Sequence, residues 1–108
     1  MAENQENRGR ITEDGVLSVL NDVIDPEVYL GIVDLGLVYR IEILDDRIEV
    51  DFTLTAPGCP AAEDIEREIT EKVEAFAGLP VKAKVVWRPP WRPEFMSDEA
   101  KVSLGYPI

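Results

Sequence analysis

Apolar residues recur at Val16, Leu17, Leu20, Val23 and Ile24, a spacing of three and four that predicts one buried helix face. Thr12 stands ahead as an N-cap, with Glu13 and Asp14 in the first turn beside the positive end of the helix dipole. Pro26 is expected to end this helix, because the residue before a proline is pushed out of the α region. Asp25-Pro26-Glu27 then reads as the helix exit, and Gly31 and Gly36 bound a turn-rich stretch. Residues 37–44 alternate, Asp45-Asp46 is a turn signal, and residues 47–55 alternate strictly. In the second run Ile48, Val50, Phe52 and Leu54 share one face, and Glu49, Asp51 and Thr53 share the other. An antiparallel hairpin with one solvated face is expected.

The loop Ala56-Pro57-Gly58-Cys59-Pro60 follows, then a helix from about Ala61 to Ala77. Its apolar positions are Ala62, Ile65, Ile69, Val73 and Phe76. Gly78 and Pro80 terminate it. Residues 81–87 alternate again, with Val81, Ala83, Val85 and Trp87 on one side. The segment WRPPWRPEF holds three prolines and is expected to be irregular, its tryptophans and prolines forming a lid on the core. Ser97 caps a short last helix that Gly105 ends. The order helix–strand–strand–helix–strand–short helix predicts an α+β two-layer domain with a mixed three-stranded sheet. Residues 1–10 read as a disordered tail and residues 11–108 as a single domain.

With 108 residues and 45% apolar content, the chain has material for one core. No apolar run reaches the ~20 residues of a membrane span, and the polar start is that expected of a cytoplasmic protein. The net charge of −11 repels phosphate backbones and anionic membranes, which argues against nucleic-acid and lipid partners. The charge is uneven. Residues 1–80 carry 6 basic and 19 acidic groups, residues 81–108 carry 5 and 3, so an acidic partner would meet the C-terminal end.

There is 1 cysteine and 0 histidine. An internal disulfide is excluded, and so are the Ser–His and Cys–His catalytic pairs. A lone cysteine is ordinarily a small buried hydrophobe. Cys59 has a different setting, between Gly58 and Pro60 at or next to the start of a helix, with Pro60 placed for the first helical position. Free N–H groups and the helix dipole there favour a thiolate, whereas Glu63 and Asp64 favour the neutral thiol. Asp25, Glu27 and Asp34 form an acidic cluster, each alone readable as a turn or surface carboxylate. Thr53 and Thr55 precede the cysteine loop, and Thr55 is placed to donate to a sulfur or a ligand. Arg88 and Arg92 put positive charge beside Trp87 and Trp91, a docking patch.

Four ordered stretches, DPEVYLGIVDLGLVY, TLTAPGCP, VVWRPPW and MSDEAKVSLG, together resemble the SufT/PaaD-like family of small iron–sulfur cluster assembly and targeting proteins. The resemblance runs from about Thr12 to Gly105. It implies a compact α/β domain with the cysteine on the loop before the second long helix. It places the family's motif acids on Asp25 and Glu27 and its threonine–cysteine motif on Thr55, Ala56 and Cys59. Many members carry a threonine where this chain has Ala56. Subgroups tied to phenylacetyl-CoA oxygenation carry a further cysteine-rich tail, and this sequence stops at Ile108.

A cluster ordinarily takes four protein thiolates or histidines, and this chain offers one. Three arrangements follow: two copies each giving a cysteine in a homodimer, a cluster held transiently by Cys59 between an iron–sulfur scaffold and a recipient protein, or an adaptor with no metal contact. The expectation is a carrier or targeting adaptor with Cys59 as metal ligand and Asp25, Glu27 and Thr55 around it, and no turnover of its own. Two alternatives stand beside it. One is a cysteine-dependent enzyme with Asp25 or Glu27 as base, or an oxygenase accessory subunit. The other is a metal-free interaction module using the Trp87–Phe95 loop.

Overall fold

The computed structural model describes residues 11–55 and 60–106. Among them, in chain order, stand helix α1 (Glu13–Leu20), strands β1 (Val38–Ile43) and β2 (Ile48–Phe52), helix α2 (Ala62–Ala77), strand β3 (Val81–Val85), a 3-10 turn (Pro93–Phe95) and helix α3 (Asp98–Leu104). The predicted α+β order is the observed one.

The sheet order is β1-β2-β3. β1 and β2 form the antiparallel hairpin, while β2 and β3 run parallel, from Ile48 opposite Val81 to Phe52 opposite Val85. A parallel pair needs a crossover, and α2 provides it. Ile48, Val50 and Phe52 point from β2 into a core shared with Val16 and Leu20 of α1 and Ile65, Ile69 and Val73 of α2. Each such side chain contributes about 1.5–3 kcal/mol through burial. The opposite face carries Arg40 and Glu42 of β1, Glu49 and Asp51 of β2, and Lys82 and Lys84 of β3. On it Arg40 bonds Asp51 at 2.9 Å and Glu49 at 3.0 Å, and also Glu42.

α1 is shorter than its apolar pattern. It stops at Leu20, and Asp22 and Val23 continue in tighter turns, their N–H groups reaching Val19 and Leu20. Val23 still reaches the core, but Ile24 turns out, 42% exposed, into an antiparallel bridge with Gly31. The cause is tertiary: the side chain of Asn21 at the helix end bonds to Asp34. Gly31 leaves room for it, since a side chain there would meet the Asn21 Oδ1 at 2.1 Å.

β2 likewise ends at Phe52. Thr53 does not join the solvated face: it and Leu54 are both buried, and the Thr53 N–H donates to the Leu37 carbonyl at 2.7 Å. Phe76 is half exposed rather than in the core, because its ring lies over Gly15 of α1. The lid is also narrower than expected. Trp91 is partly buried and its Nε1 donates to the Leu35 carbonyl at 2.7 Å, but Trp87 lies beyond the end of β3 and is 44% exposed. Met96 and Ala100 close the core instead. Ser97 caps α3 as predicted, accepting from the Ala100 N–H at 3.1 Å. No helix among the described residues is long and apolar enough to cross a membrane.

Candidate functional site

The residues singled out in the sequence fall on two connections. Asp25 and Glu27 lie between α1 and β1, and Thr55 and Cys59 between β2 and α2. Cys59, with Ala56, Pro57 and Gly58, lies outside the described residues.

Asp25 is buried, 5% exposed, and organises its own turn. Its Oδ1 accepts the Glu27 N–H at 2.7 Å, an Asx turn of the kind a short carboxylate before proline favours. Its carbonyl accepts the Tyr29 N–H at 2.8 Å and its N–H donates to the Leu30 carbonyl at 2.9 Å. These bonds hold Tyr29 at φ +60, a left-handed conformation that costs a non-glycine residue about 1–2 kcal/mol. Glu27 and Tyr29 are exposed on this turn, so its tip presents a carboxylate and a phenol to solvent.

Asp34 is taken up structurally. Its carboxylate accepts from Asn21 and its carbonyl from the Ser97 N–H at 2.8 Å. Thr55 is exposed at the end of the segment that follows β2. No hydrogen bond among the described residues joins it to Asp25 or Glu27. The two connections do share a base: Val23 and Ile32 on one side and Leu54 and Ala61 on the other belong to the same buried cluster.

The start of α2 differs from its prediction by one residue. Ala61 is the N-cap and supplies no side-chain cap, so Pro60 precedes the cap rather than taking the first helical position. Glu63 and Asp64 occupy the first turn, and Asp64 is paired with Arg67 at 3.0 Å. Among the described residues no group of three or more cysteine, aspartate or glutamate side chains is placed to hold a metal ion.

Thr53, which alternation assigns to the solvated face of β2, has a different place in the structure. It is fully buried, and its hydroxyl has no hydrogen-bond partner among the described residues. A buried hydroxyl without a partner costs about 1–3 kcal/mol. The only signal in the sequence was its place two residues before Thr55.

A family model described as iron–sulfur cluster assembly protein matches residues 13–85. The chain is 39% identical over 97 residues to an Fe-S protein maturation auxiliary factor of Porphyromonas gingivalis, covering 88% of this chain and 92% of that one. It is 41% identical over 88 residues to the Fe-S protein maturation auxiliary factor SufT of Staphylococcus aureus, covering 77% of this chain and 97% of that one. Its fold matches a crystal structure of a domain of unknown function from Bacillus anthracis with a TM-score of 0.82 at 34% identity, covering 97% of this chain and 98% of that one.

Proposed function

The chain belongs to the iron–sulfur cluster assembly protein family, and from that membership we propose that it is a maturation factor that passes a cluster, as cargo, from a scaffold to recipient proteins through the Cys59 thiolate. Residues 11–108 act as one domain in this reading. The observation that carries it is the donor count. A chain matched to an assembly family has 1 cysteine and 0 histidine, far short of the usual four-ligand cage. Incomplete ligation suits a carrier, because a fully caged cluster leaves slowly. Thiolate is the soft donor that iron–sulfur centres select, and it is the only one this sequence holds.

Asp25 and Glu27 serve as the acidic side of the same site, and Thr55 as a hydroxyl donor to the bound sulfur. Asp25 is the positioning residue of the pair, because its Oδ1 is committed to the Glu27 N–H while the Glu27 carboxylate stays in solvent. The protein has no turnover in this reading. The names of its relatives, auxiliary factors rather than enzymes, agree with that. It works in the cytoplasm, and a second copy or a partner's thiol completes the ligand set.

Anaerobic reconstitution with ferrous iron and sulfide, followed by transfer to an apo-ferredoxin, tests the ligand role. The wild type is expected to develop a cluster chromophore and to pass it on, and Cys59→Ser to do neither while unfolding at the same urea concentration. A chromophore of equal intensity in Cys59→Ser overturns the proposal.

A further inference from the structure

A groove of about 700 Å³ runs between the sheet and the segment 88–95 that folds back across its end. Val33, Val38, Val86 and Pro89 give it apolar walls, and Tyr39 and Phe95 line it as well. Its shape is held from several sides. Tyr39 is the extra residue of a β-bulge between Val38 and Arg40, the device by which an edge strand re-aims a side chain. The Tyr39 hydroxyl donates to the Pro89 carbonyl at 2.9 Å, and its ring meets Phe95 edge-on with centroids 6.1 Å apart. Gly36 lies against the Phe95 backbone so closely that a side chain would meet the Phe95 carbonyl oxygen at 2.3 Å. A site held this way loses little order when a partner enters.

The polar lining decides what that partner carries. The groove holds one acid, Asp51, and one base, Arg88. Asp51 is already satisfied by Arg40 at 2.9 Å. Arg88 and neighbouring Arg92 are exposed and make no ion pair among the described residues. In a chain of net charge −11, an apolar groove edged by an unneutralised guanidinium selects a carboxylate beside an apolar side chain. A nucleic acid or an anionic lipid surface would bring many phosphates against the remaining acids, which the chain's overall field repels. The outer edge of β1, whose Val38 and Tyr39 line the groove, accepts no backbone hydrogen bond from another segment among the described residues. A free strand edge is a place where an extended main chain adds through backbone hydrogen bonds.

We propose that this groove docks an extended segment of a partner protein, an apolar residue entering between Val38, Val86 and Phe95 and an adjacent acid pairing with Arg88. This deepens the reading of the chain as a maturation factor, since such a factor must hold its recipients. Its test uses neither iron nor sulfide, so it fails or succeeds separately from the role of Cys59.

The full-length chain, labelled with nitrogen-15, is titrated with a capped tetrapeptide of alternating glutamate and phenylalanine, and with its counterpart carrying lysine for glutamate. The acidic peptide is expected to shift the amide signals of Val38, Tyr39, Val86 and Arg88. Its affinity should fall about tenfold in Arg88→Glu and fall again in high salt, and the lysine peptide should bind at least about tenfold more weakly. Arg88→Gln, which removes the charge without reversing it, should lie between wild type and Arg88→Glu. Absence of shifts, equal binding of the two peptides, or unchanged affinity in both Arg88 variants overturns the proposal. So do groove shifts that grow with protein concentration alone, which would assign the groove to a second copy.

Discussion

Asn21 and Asp34 are joined by two hydrogen bonds of opposite sense. The Asn21 Nδ2 donates to Asp34 Oδ2 at 3.1 Å, and the Asp34 backbone N–H donates to Asn21 Oδ1 at 3.0 Å. The pair clamps the end of α1 to the loop before β1, and the bond from the Ser97 N–H to the Asp34 carbonyl extends the clamp to the cap of α3. Three segments far apart in the chain therefore meet at one partly buried amide. Asn21→Ala removes both side-chain bonds and leaves the Asp34 N–H without its partner. It is expected to lower stability by about 2 kcal/mol in urea unfolding. Asn21→Asp should cost at least as much, because it sets a second carboxylate against the first.

Gly36 and Gly78 separate two roles of glycine. Both have positive φ, +77 and +71, but a side chain at Gly36 strikes the Phe95 backbone while nothing lies within 4 Å of one at Gly78. Gly78→Ala should cost only the conformational strain, about 1–2 kcal/mol. Gly36→Ala should cost more than that, and it should also displace the Phe95 side of the groove. Urea unfolding gives the first comparison, and the chemical shift of the Tyr39 ring the second.

Thr53 provides a test of its own hydroxyl. If nothing accepts or donates to it, Thr53→Val keeps the shape and removes a desolvated polar atom, so stability should rise by up to about 1 kcal/mol. A loss of stability instead would mean that the hydroxyl has a partner in the folded protein. Thermal unfolding of the single variant distinguishes the two.

Glu49 carries the clearest pH dependence. The Arg40 guanidinium and then Arg47 hold its carboxyl below the ordinary value of 4.5. A folded-state pKa below the unfolded one means that the contribution to stability is complete above the unfolded value and is lost as pH falls through the folded one. Glu49→Gln should therefore flatten the fall of stability with acid below about pH 4.5 and bring wild type and variant closer together as the pH falls further. Added salt should narrow the difference at neutral pH, since the pairs are on the surface. Urea midpoints across that range measure it.

Local chemistry determined much of this protein in advance. Alternation along residues 47–52 placed Ile48, Val50 and Phe52 in the core, and three-and-four spacing placed Ile65, Ile69 and Val73 there, because both patterns express the geometry of one element. Thr12, Ser97, Gly78 and Gly105 marked helix ends because caps are made within a few residues. The ordered motifs marked the family for a similar reason: they are contiguous stretches of chain. Tertiary contacts decided the rest. Val23 and Ile24 are equally apolar neighbours, yet one is buried and the other exposed, because Asn21 finds Asp34 thirteen residues away. Thr53 occupies a position that alternation assigns to solvent, and it is buried because the N–H it donates to Leu37 draws the chain inward where the strand stops. Trp91 rather than Trp87 became the lid because only its indole meets a free carbonyl, that of Leu35, across the fold. In each case the deciding partner lies far away along the chain, and periodicity holds no information about partners at that range.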